Sequence, residues 1–503
     1  MKRMAILSLA LACASAFQVC NAQGASGPNK LEVGAPFNDG MVLQRDSKVP
    51  VWGRAEPGRR VTVSFADQVR ETVAGADGAW RVDLDPMPAC SEGRTLTVSS
   101  DATLSFGDIL VGEVWWCSGQ SNMELVLFGS PTLSNHSNRD VNGALDAAMA
   151  NERLVRGATV KRQWDSVRRS DGTRLDWRPF EGTWLRGFSA IAFHYAITLH
   201  RALGVPVGVV CSAWGGTRIE PWISAEGFSA VPEVAKKMDV QLVPPPSRLP
   251  EAEAGALPEA KRRSLHQQPT AIFNCMVAPY APMAVKGAIW YQGESNLLSG
   301  CGDYAALMHA LYATLSQAFE KPDLPLEFVQ IAPFHYDWAE GLGAQAVARL
   351  WEAQSKFAAE EKNADMAVIC DVGETDNIHP AEKRTVALRL AAQALNKVYG
   401  RKDIPCQSPV LRRHSLEGGV YTLEFDNVAG WYYRGKQPIR FEVAGADGQY
   451  VLGKVDVSNA VIRVSSPDVP EPRHLRYLWN WDWLGYLTNE NGLPLGGFKI
   501  DEP

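Results

Sequence analysis

From about residue 106 to residue 400 the chain alternates short apolar runs with stretches of helical periodicity, and this rhythm narrows the fold more than any other feature. Apolar runs lie at 111–117, 205–211, 285–291, 326–331 and 366–370. Helical patterns lie at 189–203, 304–319, 345–362 and 381–398, the first opening on Ser189 and stopping before Gly204. A chain that repeats strand and helix in this order must lay its strands parallel, with helices on both faces. Ligands of such sheets bind beyond the carboxyl ends of the strands. Four turns fall there: those holding Ser121, Gly215-Gly216, Gln292 and His379.

The flanks read differently. Residues 30–105 look all-β, with short strand candidates at 49–53, 60–65 and 79–84 between Gly-bearing turns, and predict a small β-sandwich. Residues 130–187 are irregular and rich in Trp, and suggest a loop or hairpin excursion. Residues 240–265 are rich in Pro, Glu and Ala and read as a surface insertion. Strand signals return at 421–425, 439–443 and 460–464. A chain of 503 residues suits several domains. The expected division is a leader at 1–22, a β-sandwich at 23–105, an α/β domain at 106–400 and a β region at 401–503.

The leader follows from Lys2-Arg3, an apolar stretch at 5–17, and small residues at Cys20 and Ala22 before a cleavage at Gln23. Export to a periplasmic or extracellular site is expected. The apolar stretch is too short to span a bilayer, and no later run reaches about 18 apolar residues, so no membrane span is expected. Neither Cys13 nor Cys20 carries a convincing lipidation pattern. A net charge of -6 without a basic run argues against a nucleic-acid partner. Past the leader the cysteines are Cys90, Cys117, Cys211, Cys275, Cys301, Cys370 and Cys406, an odd number without zinc-ligand spacing. Cys117, Cys211 and Cys370 lie in apolar runs and read as buried thiols.

Ser121 follows Ser118-Gly119-Gln120 at a strand-to-helix turn. A serine there presents its hydroxyl at the rim of the sheet, where helix N–H groups face a ligand. It is either a nucleophile or a helix N-cap. A serine hydroxyl needs a base, and His379 is the candidate. Asp376, three residues earlier, could orient the imidazole as a third member, or Asp376-Asn-Ile-His-Pro380 could be an ordinary surface loop. Candidate oxyanion donors are the N–H of Ser121, the N–H of Gly215 or Gly216, and the amide of Gln292. The glycines could equally form a plain turn, and Gln292 could cap a strand end. Glu294 is a possible second carboxylate, or a loop-holding residue. Casting Asp376 and Glu294 as a glycosidase pair would leave Ser121 idle. His194 and His200 read as packing or surface residues.

Gly119-Gln-Ser-Asn-Met123, Trp214-Gly-Gly-Thr217, Trp290-Tyr-Gln-Gly-Glu-Ser295 and Asp376-Asn-Ile-His-Pro380 resemble the sialate O-acetylesterase group of the SGNH/GDSL hydrolases. Phe37-Asn-Asp-Gly-Met-Val-Leu-Gln-Arg45, Val51-Trp-Gly53 and Asn489-Glu-Asn-Gly-Leu-Pro494 are similar to that group's terminal segments, so the likeness covers nearly the whole chain past the leader. The resemblance implies an SGNH-hydrolase-like, three-layer parallel-sheet core flanked by β regions. It implies a serine esterase that removes acetyl groups from carbohydrate hydroxyls without metal or cofactor. Ser121 becomes nucleophile and His379 base, while Gln292 stands where the superfamily usually places an oxyanion-hole asparagine. Asp376 is less secure, and a Ser–His pair without a third member stays open. The expected substrate is an acetylated sialate, with acetyl xylan or xyloglucan as the alternative. A sialate binder needs a nearby cation, and Arg218 is the candidate unless it pairs with Glu220. Trp214, Trp222 and Trp290 could stack on sugar rings or pack in the core. The rival from another class is a non-catalytic carbohydrate-binding protein.

Overall fold

The computed structural model describes residues 31–128, 146, 149–239, 243–298, 303–336, 339, 342–435, 437–480 and 485–502. The leader expected at 1–22, and Cys301, lie outside the described residues.

A seven-strand path forms the core of the molecule. Its order is Arg178–Glu181, Asn151–Thr159, Val207–Ala213, Thr103–Gly119, Gly287–Tyr291, Leu326–Val329, Ala364–Ala367. All neighbours on it run parallel except the edge pair of Arg178–Glu181 with Asn151–Thr159. Because side chains alternate along a strand, these apolar runs feed two separate cores. Trp116, Ala288, Trp290 and Phe328 pack with the Tyr304–Ala318 and Ala346–Glu360 helices. Trp115, Cys117, Ile289 and Tyr291 pack with the Ala190–Leu203 and Lys383–Gln393 helices. The fold is therefore α/β, with helices serving both faces of a mostly parallel sheet.

Local signals end the elements where expected. Ser189 caps the Ala190–Leu203 helix by accepting from Ala192 N–H, and Gly204 closes it in the left-handed region at φ 68°. Three expectations change. Asn151–Thr159, read as part of an irregular excursion, is an inner strand of the main sheet. The last strand, expected at 366–370, is Ala364–Ala367, and the chain leaves the sheet earlier. The final helix ends at Gln393 and widens into a π turn over Ala394–Val398, where Tyr399 N–H donates to the Ala394 carbonyl five residues back.

The N-terminal strands form one three-stranded sheet, Glu32–Val33, Val49–Arg54 and Ala79–Leu84, and a second set built on Arg60–Phe65, Gln68–Val73 and Cys90–Ser99. That second set pairs with the Thr103–Gly119 strand, whose 17 residues then continue into the centre of the main sheet. One strand thus carries the all-β part into the α/β part without a break. Two four-stranded antiparallel sheets and a two-stranded one make up residues 410–501. Cys90, Cys117, Cys211, Cys275, Cys370 and Cys406 are free thiols. Burial pushes the Cys117 and Cys370 thiols up, and takes the Cys211 thiol to about 12. Among the described residues no helix is long and apolar enough to cross a membrane.

Candidate active site

The central strand ends at Gly119, where φ is +143°. A Cβ there would sit 2.1 Å from the Tyr291 carbonyl oxygen, so glycine is required. Gln120 N–H donates to that same carbonyl at 3.0 Å and turns the chain out of the sheet. Ser121 then opens a one-turn helix to Glu124. Gly215 lies alongside: a Cβ on it would be 3.2 Å from the Ser121 Cβ and 3.1 Å from Glu124 Oε2. The absence of a side chain at Gly215 therefore lets the turn after the Val207–Ala213 strand close on the serine.

His379 arrives from the loop after the Ala364–Ala367 strand. Glu374 clasps this loop, accepting from Ala381 N–H at 2.8 Å and from Asn377 Nδ2 at 3.2 Å. Asn377 Oδ1 in turn accepts from His379 N–H at 3.0 Å. These bonds set the ring so that His379 Nε2 lies 2.9 Å from Ser121 Oγ, across 258 residues of chain. Burial and then the nearby Lys383 ammonium hold the imidazole down at about 4. Near neutral pH the ring is uncharged, and the Ser121 hydroxyl donates to Nε2. A neutral imidazole in this position can accept the hydroxyl proton.

Asp376 is not part of it. Glu374 and Asn377 form a β-bridge, which leaves Thr375 and Asp376 at a two-residue hairpin tip. Asp376 points to solvent there, and no carboxylate among the described residues bonds the His379 ring. The geometry is that of a dyad. Asp376→Asn is accordingly expected to leave kcat/KM on an aryl acetate within about three-fold, whereas loss of a triad acid costs on the order of 10⁴-fold. Steady-state kinetics of the variant check this.

The oxyanion donors also sort themselves. The Ser121 and Gly216 N–H groups bond to nothing among the described residues, and Gly216 is exposed at φ 76°. The Gly215 N–H is taken by Glu124 Oε2 at 2.8 Å, and Glu124 is held by Arg162. The Gln292 amide is spent inside the scaffold. Its Nε2 donates to Gln120 Oε1, Thr217 O and Asn296 Oδ1, and its Oε1 accepts from Tyr304. Gln292 is fully buried and ties the turns together.

Trp290 and Trp222 are both core residues, packed edge to face at 5.9 Å. Glu294 is buried and accepts from Asn122 Nδ2 at 2.6 Å, so it too faces inward. Glu220 bonds Asn296 and Lys237, not Arg218. Arg218 is half-buried; its guanidinium donates to the Gln267 carbonyl at 3.2 Å and, among the described residues, pairs with no carboxylate. Trp214 is half-buried beside Gly215 and stacks on His266 at 4.7 Å and 8°. Three residues missed in the sequence also belong here: Asn122, Glu374 and Lys383. The sequence signals were an asparagine next to the serine, a lone glutamate in a loop, and a lysine four residues past the histidine.

The crystal structure of a carbohydrate acetylesterase from Xanthomonas citri superposes on this chain with a TM-score of 0.80, at 31% identity over 93% of this chain and 99% of the other. The family model for carbohydrate esterases described as sialic acid-specific acetylesterases matches residues 259–396, which include Gln292 and His379. The chain belongs to the sialate O-acetylesterase family of carbohydrate esterases. Its curated relatives agree. The sialate O-acetylesterase of Rattus norvegicus is 29% identical over 75% of each chain. That of Homo sapiens is 27% identical over 76% of this chain and 73% of its own. As a sialate O-acetylesterase family member the chain is a carboxylic ester hydrolase.

Proposed function

We propose that this esterase cleaves O-acetyl groups from sialic acids through a Ser121–His379 dyad on an SGNH-type core. The observation that carries the reading is the 2.9 Å contact between Ser121 Oγ and His379 Nε2 at the carboxyl edge of the sheet. Ser121 attacks the acetyl carbonyl while Nε2 takes its proton. The oxyanion faces the free N–H groups of Ser121 and Gly216. The sugar alcohol leaves with the proton from His379. An imidazolium of low pKa is a strong acid, which favours this step. Water then attacks the acetyl-enzyme by the same path, releasing acetate.

The substrate reading rests on the rim beside the serine. Among the described residues the Arg218 guanidinium has no carboxylate partner, which suits the carboxylate of an acidic sugar. Trp214 offers an aromatic face on the same loop. The leader pattern at 1–22 supports action on substrates outside the cytoplasm. Acetate release from O-acetylated N-acetylneuraminic acid and from acetylated xylo-oligosaccharides tests the reading. We expect faster turnover of the sialate. Arg218→Met should raise its KM about ten-fold, the loss of one charged contact of about 1.4 kcal/mol, and leave the neutral sugar unchanged. Preference for the xylo-oligosaccharides, with no Arg218 effect, would overturn it.

A further inference from the structure

Beneath the dyad lies a second set of buried groups that the chemistry above leaves unused. Lys383 is 1% exposed, Glu294 3% and Asn122 0%. Lys383 Nζ donates to Asn122 Oδ1 at 2.7 Å, and Asn122 Nδ2 donates to Glu294 Oε1 at 2.6 Å. One amide is thus held between an ammonium and a carboxyl, and each end polarises it toward the other. The same two donors reach the histidine loop. Asn122 Nδ2 donates to the Ile378 carbonyl at 3.0 Å, and Lys383 Nζ to the Pro380 carbonyl at 2.6 Å. Those carbonyls belong to the residues immediately before and after His379.

We propose that Lys383, Asn122 and Glu294 form a buried strap that positions the His379 ring against Ser121, in place of a triad carboxylate. This rests on the dyad reading. In a triad a carboxylate at the far ring nitrogen fixes the imidazole. Among the described residues no carboxylate bonds the ring, so its orientation must come from its backbone: the Ile378 carbonyl is held by Asn122, the residue that follows the nucleophile, and the Pro380 carbonyl by Lys383, which itself bonds Asn122. Leaving a buried ammonium or carboxyl without its partner is costly, which makes the strap resist slippage.

One member of the strap, Lys383, adds to burial in lowering the pKa of the base. The charged groups packed about His379 are Lys383 from the following helix and Glu294, through Asn122, from the turn after Gly287–Tyr291; Glu124, on the helical turn that Ser121 opens, is held by Arg162 and Gly215 N–H. Glu374 and Asp376 lie on its own loop, and His335 bonds that loop through its backbone N–H to Thr375. Of these Lys383 acts on the ring most directly, lowering its pKa beyond what burial does. Burial pushes the Glu294 carboxyl up, opposed by the Asn122 bond and the Lys383 charge.

Lys383→Met and Asn122→Ala test the strap, with hydrolysis of an aryl acetate followed across pH, melting temperature checked, and Ser121 labelling by a fluorophosphonate run in parallel. We expect both variants to lose about 10²-fold in kcat with KM within three-fold, the signature of misplaced reacting groups. In Lys383→Met the acid limb of kcat/KM should move up from near 4 toward 6.5, which a purely structural lysine would not produce. If one variant fails to fold, the other still gives the kcat and KM comparison, and Lys383→Gln keeps the hydrogen bonds while removing the charge. Wild-type kcat in both variants, with an unmoved acid limb and normal Ser121 labelling, would overturn the strap and leave the dyad standing. Absence of Ser121 labelling in the wild type would instead overturn the dyad itself.

Discussion

Ser121→Ala is expected to lower kcat for acetate release by about 10⁴-fold or more, with substrate binding retained. The reasoning is geometric. Ser121 stands at the end of a turn that Gly119 alone can make, and its hydroxyl has one partner, His379 Nε2 at 2.9 Å. Removing the oxygen removes the bond-forming atom while the surrounding contacts stay: Asn122 keeps Glu294 and Lys383, and Gly215 keeps Glu124. The residual rate then reports what the oxyanion donors and binding supply alone. Calorimetric titration with an acetylated substrate should show an affinity near that of the unaltered enzyme. A variant that hydrolyses at the original rate would exclude the serine mechanism.

His379→Ala is expected to cost about 10³- to 10⁴-fold in kcat, since among the described residues no other group bonds the Ser121 hydroxyl. The unaltered enzyme carries a pH signature of the same residue. A base works only when unprotonated. Burial and Lys383 move the imidazole from 6.5 down to about 4, so the neutral form persists to lower pH. The kcat/KM profile should therefore stay flat from pH 7 to pH 5 and fall to half near 4. An acid limb centred near 6.5 would mean that the ring is solvated and that Lys383 does not act on it.

Much of this was legible before any coordinates. The nucleophile turn announced itself because an uninterrupted apolar run meets Ser-Gly-Gln-Ser, and a buried parallel strand must end at such a break. The four rim turns were legible for the same reason. Asn151–Thr159 was not, because a central strand was expected to be apolar. It carries Glu152, Arg153 and Arg156, and the buried Arg156 pairs with Asp108 at 2.9 Å on the Thr103–Gly119 strand, one strand beyond its Val207–Ala213 neighbour. That pairing partner is 48 residues away, and no local pattern shows it.

The site divided along the same line. Ser121 and His379 could be read because each sits at a turn with its own signature. Asp376 misled because its spacing from the histidine fits a triad, yet Asn377 and Glu374 consume the local hydrogen bonds and push it to the hairpin tip. Gln292 misled because it holds the right place in the order of turns, while its amide is bound by three acceptors from three different segments. Lys383 stayed hidden because a lysine in the first turn of a helix normally faces water. Its burial depends on Asn122, 261 residues earlier.

The most direct test is to inactivate the enzyme with a fluorophosphonate at pH 7 and locate the adduct by peptide mass mapping. The account predicts a single modification at Ser121, formed in step with loss of acetate release and slowed sharply in His379→Ala. Stoichiometric modification elsewhere, or full acetate release from enzyme modified at Ser121, would contradict it.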